Sequence, residues 1–217
     1  HGYSFVEALR HLGDRAGVAL PEIPSERNAA PMDPTIAREQ AAARRESRRQ
    51  TKDSFYRMGR AATRFYVDTL NSLEGKPCRS YLRERGIEAE GLERFAIGFA
   101  PDRWDGLSSE FSRVGQSLEL ADRCGLVGKR KQGGGYYDRF RGRLMFPIRD
   151  LAGEVIAFGG RVVPGTRSSE PDRDGNKPGK YINSPDTPVY TLGTDTVAAM
   201  SRSAPTTDIE KIFLSVP

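Results

Sequence analysis

Apolar positions recur along this chain at two periods, and the change from one to the other falls near Gly125. Before it the spacing is helical. Phe5, Ala8, Leu9, Leu12 and Ala16 share one face of a helix over Ser4 to Ala16, with Ser4 and Glu7 as a capping box and Gly17 as a stop. Residues 18–33 are rich in Pro, Glu and Ala and read as a linker. Asp33-Pro34 then sets Asp at an N-cap and Pro at the first helical position. The Ala/Arg/Glu/Gln run behind it favours helix but carries no apolar stripe until Phe55. From there Phe55, Met58, Ala62, Phe65, Thr69 and Leu73 recur at helical spacing. The pattern predicts one helix that starts as a solvated basic arm and ends docked on a domain. Short helices are predicted at Pro77 to Arg85, Glu90 to Phe95 and Leu118 to Arg123, with Gly86 and Gly125 as stops.

After Gly125 the period shortens. Phe140 to Ile148 alternates apolar and polar residues, Asp150 to Gly153 supplies a turn, and Val155 to Val163 is β-branched and aromatic. This predicts a hairpin. Thr166 to Gly179 is a polar Gly/Pro/Asp/Arg loop, and no internal repeat is evident. The fold class is α+β: a helical N-terminal part followed by a small mixed or antiparallel sheet.

Composition refines this picture. With 217 residues, 37% of them hydrophobic, and a mean hydropathy of -0.59, there is room for one domain plus linker. The net charge of +5 is unevenly placed: Arg38 to Arg64 holds nine Lys/Arg against Glu39, Glu46 and Asp53. A polyanionic partner and a solvated linker both fit such a segment. Cys78 and Cys124 form no C-x-x-C and read as reduced, ordinary residues. With no signal peptide and no apolar run of about 18 residues, a soluble, cytoplasmic protein without a membrane partner is expected. The chain opens at His1-Gly2-Tyr3 without methionine, as a piece of a longer protein would.

The candidate chemistry lies between Tyr136 and Asn183. If Arg139 to Arg149 is one strand, Phe140, Leu144, Phe146 and Ile148 fall on one face, and Arg139, Arg141, Arg143 and Arg149 on the other, provided Pro147 introduces no bulge. In the second strand Ala157, Gly159 and Arg161 share a face, so pairing would set a basic row beside a glycine-lined floor. Guanidinium forks suit phosphate, and glycine lets a backbone or base approach closely. Lys180, Tyr181 and Asn183 add a charge, a stacking ring and an amide. The same arginines also suit the solvated face of an amphipathic strand, and Gly159-Gly160 suits a bulge. Gly133-Gly134-Gly135 lacks the order of a P-loop, and His1 and His11 have no metal-ligand neighbours. Trp104 reads as an anchor for a loop on the helical part. Asp150 and Glu154 flank a turn and make no convincing catalytic pair. The residues offer binding chemistry without a catalytic centre.

The motifs FYVDTL (Phe65 to Leu70), YLRERGI (Tyr81 to Ile87), ERFAIGFAPDRWD (Glu93 to Asp105), YDRFRGRLMFPIRD (Tyr137 to Asp150), VIAFGGRV (Val155 to Val162) and KYINSPDTP (Lys180 to Pro188) follow one another in a familiar order. Together they resemble the N-terminal subdomain of the RNA-polymerase core of bacterial (DnaG-type) replicative DNA primases. Ser4 to Pro21 is similar to the segment that joins the zinc-binding domain of that family to its core. The resemblance implies residues 1–24 as the end of that connecting segment, 25–54 as a basic linker or helical arm, and 55–190 as the core subdomain. It leaves 191–217 as a divergent tail, through divergence, a change of reading frame or a junction, expected to be poorly ordered or packed in a non-family way.

The family makes short RNA primers on single-stranded DNA beside the replicative helicase. The resemblance therefore implies single-stranded template, ribonucleotides and helicase as partners, the last through a C-terminal region that this sequence lacks. By position, Arg139, Arg141, Arg161, Lys180, Tyr181 and Asn183 correspond to residues the family places on template or incoming nucleotide; Arg143 and Arg149 are added from the alternation. The family also carries a zinc ribbon upstream and, downstream, a Toprim fold whose carboxylates hold Mg2+ or Mn2+. No zinc-ribbon set of Cys and His ligands and no EGYMD-like element occurs in this sequence. No bound cofactor and no polymerisation are expected of these residues alone. The alternative reading is a stand-alone module that binds single-stranded nucleic acid without polymerase activity; the coding sequence after residue 217 separates the two.

Overall fold

A 38-residue helix, α1 (Pro34–Asn71), changes surroundings along its length because its sequence does. The computed structural model describes residues 34–87, 89–171 and 175–191, together with residue 15. The helix expected over 4–16, the linker 18–33 and the tail 192–217 lie outside the described residues, save Arg15, which is helical. Two compact units divide the chain, His1–Glu46 and Ser47–Pro217. Residues 38–50 of α1 are exposed. From Phe55 the helix buries Met58, Ala62, Tyr66, Thr69 and Leu70, and each large apolar side chain taken from water contributes about 1.5–3 kcal/mol. Two members of the expected stripe shift. Tyr66 takes the deep position beside a half-buried Phe65, and Leu73, past the helix end, is 90% exposed.

The short helices follow as α2 (Lys76–Glu84), α3 (Ala89–Arg94) and α5 (Leu118–Arg123), each within a residue of its expected bounds. Between the last two lies an unforeseen pair, strand β1 (Gly98–Ala100) and helix α4 (Gly106–Arg113). A two-stranded ribbon, β2 (Val127–Lys129) and β3 (Tyr136–Asp138), comes next. Strands β4 (Arg143–Arg149), β5 (Val155–Val162) and β6 (Tyr181–Asn183) join β1 in a sheet of order β1-β4-β5-β6, every neighbouring pair antiparallel. The α+β reading holds.

The sheet is buried on both faces. Met145 and Phe158 pack into the cluster of Phe55, Met58 and Tyr66. Leu144 and Phe99, on the other face, pack with Leu70, Cys78 and Leu82. The irregularity in the hairpin falls between Ile148 and Arg149, not at Pro147. It sends Ile156 and Ala157 into one cluster with Tyr190, while Val155 and Phe158 enter another. Asp150 and Glu154 clamp this hairpin to α1: Tyr56 donates to Asp150 Oδ2 at 2.6 Å, and Arg60 meets Glu154 at 2.5 Å. Burial pulls the Asp150 pKa up, but bonds from Tyr56 and from the Glu154 and Ala152 amides outweigh it and hold the carboxyl below its ordinary value. Cys78 and Cys124 are free thiols in different clusters, and burial pushes both up to about 12.

Candidate nucleic-acid interface

The expected row of arginines does not form one face. Strand β4 begins only at Arg143, so Arg139 and Arg141 lie in the turn before it. Within that turn Gly142 has φ +58, and a Cβ there would stand 2.8 Å from Thr166 Oγ1. This left-handed step resets the alternation. Phe140 accordingly packs with Met145, while Leu144 packs on the opposite side. The register then separates two further cations. Leu144 lies opposite Arg161 and Arg143 opposite Val162, so Arg143 and Arg161 project from opposite faces of the sheet. At the far end, about 20 Å along the strand from Arg143, Arg149 donates to the Gly153 carbonyl at 2.8 Å and closes the hairpin turn. The eight candidate residues thus divide into two groups and two separate arginines.

The first group centres on Arg141. Its guanidinium carbon lies 3.9 Å above the Trp104 ring and 6.0 Å from the Tyr137 ring, and the two rings meet edge to face at 6.2 Å. Trp104 is 61% exposed and anchors no loop in the core, contrary to its expected role. Instead it forms a shelf. Trp104, Tyr137, Arg141, Lys129, Arg130 and Lys131 line an open cavity of about 730 Å³. Tyr137 lies flat over the ribbon because Gly128 opposite has no side chain: a Cβ there would stand 2.8 Å from the ring. Arg141 also donates to the Asp138 carbonyl, and burial lowers its pKa, opposed by Asp138, Tyr137 and Asp102. It stays charged at neutral pH. Arg139, exposed, donates to the Val127 carbonyl at 3.2 Å.

The second group lies on the sheet face that carries Leu144. Arg161 is 4% exposed, donates to the Tyr181 hydroxyl, and has its guanidinium carbon 5.2 Å from the Tyr181 ring and 5.8 Å from Tyr81 of α2. Asn183 pairs with Gly159 on the same face, and Lys180 stands exposed just before β6. Arg143, buried on the other face, donates to the Gly160 carbonyl at 3.3 Å. Burial and the neighbouring Arg141 lower its pKa.

The two glycines of β5 are regular strand residues with different neighbours, not a bulge. A Cβ on Gly160 would stand 2.8 Å from the buried Phe140 ring, whereas one on Gly159 would meet only Asn183 Oδ1 at 3.2 Å. Gly160→Ala is expected to destabilise by about 1–3 kcal/mol in urea unfolding. Gly159→Ala should leave the midpoint nearly unmoved and displace the Asn183 amide resonance. Equal losses from both variants would contradict this assignment of neighbours.

Residue patterns alone give Trp104 a loop-anchoring role and assign no binding role to Tyr137 or to Lys129 to Lys131. The available signal was aromatic residues interleaved with a basic triplet, KRK, ahead of a glycine turn.

Comparison with known proteins bears on this arrangement. Residues 65–195 match the family described as DNA primase catalytic core, N-terminal domain. A DNA primase of Halalkalibacterium halodurans is 34% identical over 193 residues, which are 88% of this chain and 27% of that protein. One of Salmonella typhimurium is 40% identical over 145 residues, 67% of this chain and 23% of that protein. The chain therefore spans about a quarter of the length of the curated relatives it matches. Among solved structures, a DnaG primase catalytic domain bound to ssDNA aligns with TM-score 0.56 and 32% identity, over 72% of this chain and 46% of the other. The RNA polymerase domain of Mycobacterium tuberculosis primase, in complex with a double-stranded DNA oligomer with a 6-nucleotide overhang, aligns with TM-score 0.55 and 36% identity, over 64% and 40%. The order of motifs, the helices ahead of an antiparallel sheet and these matches agree: the chain belongs to the DNA primase family, as the N-terminal domain of the catalytic core.

Proposed function

We propose that the chain is the template-holding part of a DNA primase, an enzyme that lays short RNA primers on single-stranded DNA. One observation carries the reading: a shelf of exposed Trp104 and half-buried Tyr137 with Arg141 stacked on Trp104 and Lys129, Arg130 and Lys131 around it. Bases of any sequence stack on such rings, and the cations neutralise the phosphates between them. Arg139 and Arg141 extend this track. Arg161, Lys180, Tyr181 and Asn183 make a second contact region, for the incoming ribonucleotide or the template beside it, with Arg143 and Arg149 as outlying candidates. The named ligands of the two structural relatives, single-stranded DNA and DNA with an overhang, support the choice of polymer.

Primer synthesis needs divalent metal on the transferring phosphate. Among the described residues no three His, Cys, Asp or Glu come together to hold one. The role proposed for the described residues is binding and positioning. The Mg2+ or Mn2+ site, the zinc ribbon and the helicase contact belong to other parts of a complete primase. These 217 residues alone are accordingly expected to bind template without polymerising, and the complete protein to work in the bacterial cytoplasm. No helix among the described residues is long and apolar enough to cross a membrane.

The test is binding of single-stranded DNA by the chain across a salt series. Affinity should be weak and fall with salt, with a slope of about -0.7 per phosphate contacted. Replacing Arg139, Arg141 and Lys180 together by alanine should keep the circular dichroism spectrum and remove most of the binding. Unchanged affinity in that variant would sink the reading.

A further inference from the structure

The ribbon that carries the shelf has a second cavity on its other side. Successive residues of a strand point to opposite faces. Tyr137 lines the shelf cavity, and Tyr136 lines another, of about 610 Å³, together with Ser109 and Ser112 of α4, Asp105, and Gly134 and Gly135. Arg130 lines both. Its guanidinium is tied to the rim, since Nε donates to the Tyr136 carbonyl at 3.0 Å and its amide donates to Gly135. The ribbon tip, Gly133-Gly134-Gly135, lines the second cavity through Gly134 and Gly135, beside Arg130, which lines both. All three have φ near +70 to +79 and open space where a Cβ would stand. The tip is low because it has no side chains.

Resting on the shelf reading, we propose that the bound strand does not stop at Trp104 but crosses the glycine tip. Arg130 holds the phosphate at the crossing, and the next nucleoside enters the second cavity. The chemistry there differs from the shelf. Tyr136 offers a ring for stacking. The Ser112 hydroxyl donates to the Ser108 carbonyl at 2.9 Å and so is left to accept. Asp105 also accepts, while Ser109 is exposed and can do either. Arg113, the other cation there, is paired with Glu110. A set dominated by acceptors suits the N–H donors on a base edge, thymine N3–H included, and it disfavours a phosphate, which stays at Arg130.

The consequence is a length dependence. With fluorescein-labelled oligothymidylates of about 4 and about 12 nucleotides, Ser109→Leu, which fills the cavity without adding an acceptor or a charge, should in the full chain match the parent on the short strand and bind the long one about tenfold more weakly. Equal affinities of parent and variant at both lengths would overturn the second cavity. A measurement without substitution guards against a misfolded variant: 4-thiothymidine, walked along the longer strand, should crosslink to Tyr136 from positions displaced by at least one nucleotide from those reaching Trp104 or Tyr137. No Tyr136 adduct from any position also overturns it. Failure of the shelf itself reads differently, because Trp104→Ala would then bind the short strand as the parent does.

Discussion

Asp138→Ala is expected to lower the unfolding free energy by about 2–4 kcal/mol, more than Gly160→Ala. The Asp138 carboxylate is 1% exposed and accepts from the Leu107 amide at 2.6 Å and the Ser108 amide at 3.0 Å. Those amides open α4, whose own N-cap residue, Asp105, makes no side-chain capping bond. A residue 30 positions away therefore does the capping. Alanine leaves two buried donors without partners, and each costs about 1–3 kcal/mol. Urea unfolding checks this through a shifted midpoint at unchanged slope; a loss under about 0.5 kcal/mol would contradict it.

The pH dependence has a sign. Burial raises the Asp138 pKa, and the bonds from Leu107 and Ser108 only partly oppose it. The folded state thus holds this proton more tightly than the unfolded chain does. Its contribution is full below the ordinary carboxylate value and is lost as pH rises through the raised one. Asp138→Asn cannot titrate, so the stability advantage of the parent over that variant should narrow as pH rises through this window.

Asp138 also shows why some of the molecule was legible in the sequence and some was not. Helices α1, α2, α3 and α5 announce themselves through local spacing, caps and glycine stops, and the β4–β5 hairpin through alternation and its turn. Helix α4, with the sequence GLSSEFSR, buries only Leu107 and Phe111 among its larger apolar residues and owes its start to a residue on β3. No local pattern contains that contact. The same limit hid the interface. Strand alternation holds for Leu144 and Arg161 but not across Gly142, where a positive φ breaks the phase. Unbroken alternation would put Phe140 and Leu144 on one face, and Arg139 and Arg141 in a row with Arg143. The resemblance found the family; the register and the Gly142 turn decide which arginines share a surface. Trp104 and Tyr137, 33 residues apart, are brought together by long-range contacts, among them the Asp138 amide donating to the Trp104 carbonyl at 2.8 Å.

That bond holds the backbone of Trp104 beside β3. Base stacking on an aromatic side chain is worth about 1–3 kcal/mol, so Trp104→Ala should weaken single-strand binding by about 5- to 150-fold. Stacking carries no counterion release, so the salt slope should stay that of the parent. Arg141→Ala should weaken binding too, but through a phosphate contact, flattening the slope by about 0.7. It also strips the cation from above the indole. Arg141→Lys separates these roles: it keeps the charge and the slope, yet loses the planar guanidinium that stacks at 3.9 Å on Trp104. Because Trp104 is the one tryptophan in the chain, its fluorescence reports the shelf directly. Bound oligothymidylate should quench it in the parent and in Arg141→Lys. Salt-dependent binding with no change in that fluorescence would place the strand elsewhere and reject the shelf as its seat.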